Sequence, residues 1–386
     1  MKQDKHILTI TRLLEDLFEI VAVYQRGQNL EFSLEYRFSR ETSRTLISDR
    51  LSAAGYDFII DDSQEQLNLK ISPRPKIKIP RLNLILFVIT LVSVYVVPVF
   101  FRELWAITLK LAEQSPDAVL VQSWWQEFKA TMAVWSQALD NTLDALAAGA
   151  GIEFTLAMIS ILFVHEMGHF LASRRRNIVT SWPYFIPAPN FIGTFGAIIK
   201  SKSPFWNRRD LIEVGAAGPI AGWFVALIWL WYGLSGSVFK PMEEVMLYDR
   251  FYLFGESILM RLSTLGLVGA APEGYAYKLT EAAFAGWVGL LITAINLLPI
   301  GQLDGGHILY GLGRKRQHLL GYIAMAFLIV LGFQSVIWWV FAAFGIIFGV
   351  KHPPTLNDSK KPGRNATGLG IIALIILVIS FTPRPF

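Results

Sequence analysis

The sequence predicts a polytopic α-helical membrane protein, with about six to seven transmembrane helices behind a small α+β N-terminal cytosolic domain. Three observations carry this. Charged residues make up only 17% of the 386 and hydrophobic ones 53%, whereas a soluble chain holds nearer a quarter charged. Apolar runs suited to a hydrocarbon core of roughly 30 Å recur from Leu82 onward. Before that point the polarity alternates over short segments, as in strands. The net charge of +5 does not argue for a nucleic-acid partner, because the basic residues cluster at the ends of the apolar runs. The absence of cysteine excludes disulfides and thiolate metal ligands, so any metal must use His, Asp or Glu. The first residues lead into a charged amphipathic stretch without a signal-peptide core, so targeting is expected to rest on the internal spans.

Residues 1–72 read as the soluble domain. Residues 8–18 have helical apolar spacing. Over 30–38, Phe32, Leu34, Tyr36 and Phe38 share one face of a strand while Glu31, Ser33, Glu35 and Arg37 share the other. A turn at 26–29 pairs that strand with 19–24 as a hairpin. Ser39 is the expected N-cap of a helix ending near Gly55, followed by strands at 56–60 and 67–71. The order is α-β-β-α-β-β. With no clustered catalytic groups, this domain reads as a stabilising or docking module. Residues 73–81 form a linker with four basic residues and no acid, stiffened by proline and suited to an anionic membrane leaflet.

The first transmembrane helix is expected over 82–101. Further spans are expected at 151–173, 211–234, 282–300, 318–333, 335–350 and 367–382, with a break between Gly332 and Ser335. They divide into a core at 151–310 and C-terminal transmembrane helices at 311–386. Basic groups without matching acids fall at 74–81, 174–176, 314–316 and at Lys360, Lys361 and Arg364. Placing these in the cytosol lets every span alternate and makes the chain a multi-pass protein of the cell membrane. The intervening segments 102–150 and 236–281 read as interfacial helices, with Trp124 and Trp125 as headgroup anchors.

Inside the second span, residues 165–169 read His-Glu-Met-Gly-His. Histidines four residues apart lie on one helical face and can share one Zn²⁺, with Glu166 as the general base of a metalloprotease. Ionisable groups at bilayer depth are costly and mark function. His165 and His169 leave a catalytic zinc short of one protein ligand, and Asp304 in the later segment 296–307 is the natural candidate. His165 precedes Arg174 by nine residues and Asp304 precedes Arg314 by ten, so both groups fall roughly 13–15 Å from the cytosolic charges if helical. Gly305 and Gly306 are expected to break the helix and let backbone approach the metal. His307 is a rival third ligand or a group supporting the ligands. Asn296 either hydrogen-bonds between helices or fixes substrate backbone. Gly215, Gly218 and Gly222 make one helix face small, which reads as close helix packing. Residues 194–199 are strand-like and either receive an unwound substrate by strand addition or plug the cavity.

The two motifs together resemble the site-2 protease family of intramembrane zinc metalloproteases, which pairs HExxH with an Asn-x-x-Pro and Leu-Asp-Gly segment. Residues 193–200, 215–222, 351–358 and 381–386 resemble its prokaryotic branch, similar to the plastid ethylene-dependent gravitropism-deficient yellow-green proteins. The resemblance implies that His165, His169 and Asp304 hold one Zn²⁺ per chain. It implies Glu166 as catalytic base, with Asn296 assisting at substrate or oxyanion. The partners are then transmembrane-helix proteins and the lipid bilayer, with no nucleic acid. No PDZ-like or CBS-like module is visible, so regulation by such modules does not transfer. Two other classes compete. A divalent-metal transporter would use the same ligands but has no need of Glu166, and the span pattern lacks inverted repeats. A proteolytically inactive membrane scaffold sits poorly with an intact HExxH and Asp304.

Overall fold

The computed structural model describes residues 2–26, 29–61, 67–73, 79–114, 124–176, 178–202, 205–242, 254–355, 358 and 361–385. Gly27 and Gln28 of the expected turn, most of the basic linker, and the side chains of Trp124 and Trp125 lie outside them. The chain divides into two compact units.

The first unit comprises Met1–Pro80 with Ser173–Ser181 and Lys200–Phe205. Its elements run α1 (Lys2–Leu14), β1 (Phe18–Arg26), β2 (Asn29–Tyr36), α2 (Arg40–Ala53), β3 (Tyr56–Asp61) and β4 (Leu67–Pro73). This is the α-β-β-α-β-β order read from the sequence. The strands form one antiparallel sheet in the order β1-β2-β4-β3. Ile10 and Leu14 of α1 and Ile47 and Leu51 of α2, each pair four residues apart on one helical face, are fully buried. Phe32, Leu34 and Leu69 of the strands are likewise fully buried. Ser39 Oγ accepts the Thr42 N–H at 3.3 Å and caps α2 as expected. Two details differ from the sequence reading. The first helix stops at Leu14, because buried Phe18 already opens β1. Phe38 lies past the end of β2 and is 62% exposed.

The second unit is helical. It contains α3 (Arg81–Gln114), α4 (Trp124–Ala147), α5 (Ile152–Arg175), α6 (Arg208–Ser235), α7 (Ile258–Leu267), α8 (Glu281–Asn296), α9 (Asp304–Leu312), α10 (Arg314–Gly332), α11 (Ile337–Phe348) and α12 (Arg364–Ser380). Among the described residues, three helices are long and apolar enough to cross a membrane, at Arg81–Leu111, Ile152–Arg175 and Arg208–Ser235. Shorter apolar helices follow in α7, α8, α10, α11 and α12. The helix α3 continues well beyond the expected 82–101. Arg102 near its middle pairs with Glu281 at 3.3 Å, and Glu281 also accepts the Gly151 N–H just before α5.

At the centre, α6 packs against α8, α9 and α12. Small residues permit the approach. A Cβ on Gly286 would meet the Leu230 backbone, and one on Gly289 would meet Ala226 and Ile161. Buried Trp287 stacks near Phe254 and Phe284 beside this contact. Two short antiparallel strand pairs complete the unit among the described residues. One joins β5 (Tyr184–Pro187) to β6 (Thr194–Ile198), and the other joins β7 (Val238–Pro241) to β8 (Tyr275–Lys278). The second corrects the reading of 236–281 as interfacial helix alone. Its four-residue strands come from opposite ends of that segment and carry too little local alternation to be seen.

Candidate metal centre

The helix α5 carries His165, Glu166 and His169 one turn apart, and its apolar neighbours Ala157, Met158, Ile161 and Leu162 are buried in the core. His165 and Glu166 are themselves buried, at 5% and 6% exposure. Asp304 comes from α9, of which it is the first residue. The helix α8 ends at Asn296, and residues 297–303 turn the chain back before α9 starts. Asn296 and Asp304 therefore do not share one helix, and Asp304 is not joined to Arg314 by one either, since Gly313 is extended between α9 and α10.

The donor atoms of His165, His169 and Asp304 nevertheless converge. The two Nε2 atoms are 3.2 Å apart, and Asp304 Oδ2 lies 3.3 Å from His169 Nε2 and 3.5 Å from His165 Nε2. A tetrahedral zinc about 2.0–2.1 Å from each ligand sets neighbouring donors roughly 3.3 Å apart. The observed triangle fits one face of that tetrahedron. The Glu166 carboxylate is close enough to His169 and Asp304 for their charges to act on it, although it is not one of the three converging donors.

The second nitrogen of His169 is also fixed. Val214 O lies 2.8 Å from Nδ1, and a carbonyl can only accept, so Nδ1 carries the proton and Nε2 keeps its lone pair. The small face of α6 supplies the space around the histidines. A Cβ on Gly218 would strike the His169 ring, one on Gly222 would come within 2.9 Å of His165 Cβ, and one on Gly215 within 3.0 Å of His307 Cβ. The sequence reading of these glycines as plain helix packing is therefore incomplete. The row at i, i+3 and i+7 faces the imidazoles themselves, a role that spacing alone does not reveal.

Gly305 and Gly306 also act differently from the expectation. They do not break the helix but lie in the first turn of α9. A Cβ at Gly305 would strike the Leu297 carbonyl, and one at Gly306 the Gly301 carbonyl. Their absence lets the 297–303 turn fold tightly under Asp304. That turn is tied down from further along the chain. The Gly301 N–H donates to Val350 O at 2.9 Å, and Gln317 Nε2 donates to the same carbonyl at 2.9 Å. His307 faces His352, with Nδ1 2.5 Å from His352 Nε2, while His352 Nδ1 contacts the Pro353 carbonyl. His307 thus pairs with His352 and is not among the three converging donors. Sequence reasoning did not find His352, and its only signal was position within the 351–358 segment. Nearby, burial works to raise the Asp358 carboxyl, but hydrogen bonds from Thr355, Tyr310 and Arg314 outweigh it and hold it below the ordinary carboxylate range.

Residues 153–333, which contain both histidines, Glu166 and Asp304, match the model of peptidase family M50. The match covers just under half of the chain. The chain is also similar to curated plant proteins. It is 34% identical over 240 residues to the probable zinc metalloprotease EGY2, chloroplastic, of Oryza sativa subsp. indica, covering 61% of this chain and 43% of that protein. It is 32% identical over 244 residues to the probable zinc metalloprotease EGY1, chloroplastic, of Arabidopsis thaliana, covering 61% and 43%. The corresponding figures for EGY3 of Oryza sativa subsp. japonica are 24% over 264 residues, 64% and 43%. The chain thus spans less than half the length of these relatives. No solved structure matches. The likeness to site-2 proteases read from the two motifs, and that to the yellow-green proteins read from residues 193–200, 215–222, 351–358 and 381–386, are borne out.

Proposed function

We propose that the protein is an intramembrane zinc metalloendopeptidase that hydrolyses peptide bonds within transmembrane segments of other membrane proteins. The observation that carries this reading is the donor triangle of 3.2, 3.3 and 3.5 Å, formed by His165, His169 and Asp304 among buried apolar helices of the M50 segment. In this reading His165, His169 and Asp304 hold one Zn²⁺ per chain. When bound, the ion would polarise the scissile carbonyl and acidify the attacking water. Glu166 takes the water's proton and delivers it to the leaving amine nitrogen. Asn296, half-buried at the end of α8, is proposed to hold substrate backbone or the developing oxyanion.

A helical substrate hides its peptide bonds, so a segment must unwind before it is cut. Strand β6 is the proposed receiver. It is one of only two strands in its sheet, and Phe195 and Ile198 on it are 71% and 55% exposed. We further infer six to seven membrane crossings, with the short apolar helices completing the three long ones, in a multi-pass cell-membrane protein. The basic clusters at 174–176 and 314–316 then lie on the cytosolic side together with the N-terminal domain. Transport of a divalent metal would use the same three ligands but gives Glu166 no task beside them.

The deciding experiment separates base from ligand. Glu166→Gln should keep near-stoichiometric zinc in detergent and lose cleavage of a transmembrane substrate, whereas His165→Ala or Asp304→Ala should lose both. Full cleavage by Glu166→Gln would overturn the mechanism.

A further inference from the structure

The hairpin β5–β6, besides its own bonds, is held from outside. Asn83 on α3 is 3% exposed, and its Nδ2 donates to two consecutive carbonyls at the start of the hairpin, Trp182 O at 3.0 Å and Pro183 O at 2.8 Å. One turn along α3, the Phe87 ring packs edge-on against Phe185 of β5 at 5.0 Å. Further along, Ser93 Oγ donates to Ala188 O at 3.3 Å. Gly193, with φ of +81°, sits so close over Ser93 and Val94 that a Cβ there would meet the Val94 backbone at 2.6 Å. Asn83, Phe87, Ser93 and Val94 recur at helical spacing on the side of α3 that meets the hairpin. Both ends of the hairpin are therefore fastened to one helix. That helix lies outside the 153–333 segment matched to family M50.

We propose that α3 is the platform for the substrate-receiving strand, and that Asn83 is its positioning residue, acting through the Trp182 and Pro183 carbonyls on the placement of β6. This rests on the reading of β6 as the strand that pairs with unwound substrate. An asparagine in an apolar helix needs partners, and carbonyls at the hairpin entrance are partners whose position matters to what the hairpin carries. Losing both donations frees the entrance, so β6 samples positions that do not present substrate to the metal centre. The cost falls on cleavage and leaves the ligands untouched.

The test compares the full-length chain with Asn83→Ala. Three quantities are read: bound zinc, hydrogen exchange over 184–198, and cleavage of a membrane-spanning substrate in detergent or vesicles. Zinc should be unchanged, exchange should accelerate, and kcat/KM should fall by about tenfold for two lost hydrogen bonds. Rescue provides the second arm. The chain contains no cysteine, so Ser93→Cys with Ala188→Cys can be joined by a short thiol cross-linker in the Asn83→Ala background. Cross-linking should restore cleavage. Equal cleavage by Asn83→Ala, or unaltered exchange over 184–198, would overturn the inference. So would a cross-linked chain that cuts only after the link is broken, because the hairpin would then have to leave α3. If the unaltered chain carries zinc and cleaves no membrane-spanning substrate, the peptidase reading fails instead, and the exchange result distinguishes the two.

Discussion

Replacing Gly218 with alanine should dislodge one ligand of the metal centre. The added Cβ would strike Nε2 and Cδ2 of His169 and lie 2.6 Å from Cε1. Carbon atoms rest at about 3.5–4.0 Å, so the ring must retreat by roughly 1 Å. A zinc–nitrogen bond of about 2.0–2.1 Å tolerates roughly 0.2 Å of error, so His169 is lost as a ligand. Backbone relief is closed off, since Gly168 of α5 already packs on the Ala217 carbonyl. Two protein ligands remain, and zinc affinity should drop by at least about a hundredfold. The same reasoning grades its neighbours. Gly222→Ala places its methyl 2.9 Å from His165 Cβ and should cost less, while Gly215→Ala meets His307 Cβ at 3.0 Å, Asp304 O at 3.2 Å and Ile308 Cγ1 at 3.4 Å and should cost least. Gly266→Ala, with nothing within 4 Å of the added atom, is the control. The assay is zinc per chain by mass spectrometry after dialysis against graded chelator, with helical content followed by circular dichroism. Wild-type chelator resistance in Gly218→Ala would refute the reasoning, because the histidine would not depend on that space.

Two other expectations concern depth and orientation. Nine residues of one continuous helix separate His165 from Arg174, so on the proposed orientation the centre would lie roughly 13.5 Å above the cytosolic charges, in the inner half of a core of about 30 Å. Cuts should therefore fall in the cytosolic half of a substrate span and be promoted there by Gly or Asn over an all-Leu stretch; mass-spectrometric mapping of cuts to the outer half would refute this. Since the chain has no cysteine, single cysteines at exposed Asp49 and Lys361 should react only with reagents that enter the cytosol, and one at exposed Glu273 from outside. Labelling of the Asp49 position from outside intact cells would reverse the orientation.

What could be read from the sequence was whatever a short window expresses. Two histidines at i and i+4 fix one face of α5, and the alternation through Phe32 and Leu34 fixes the buried side of β2. Hydropathy marks where lipid is tolerated rather than where a helix ends, which is why α3 outruns its apolar stretch past Arg102. Contacts between distant segments left no such trace. The Gly218 methyl that is missing matters only once α5 lies against α6. The helix start at Asp304 depends on a turn pinned by Val350. Asn83 appears in sequence as one polar residue in an apolar run, and its partners are carbonyls, which no side-chain motif can announce.

The pinning of that turn has a temporal side. A ribosome delivers the two histidines early, the aspartate later, and the Val350 carbonyl that receives the Gly301 N–H later still. The finished geometry around Asp304 therefore has to wait until the chain has been synthesised beyond Val350. On the proposed reading, a chain that would cut membrane-spanning helices, threaded into the bilayer beside its own and other newly made helices, is harmless during its own birth. Zinc loading of ribosome-held chains of increasing length would locate the moment at which that innocence ends.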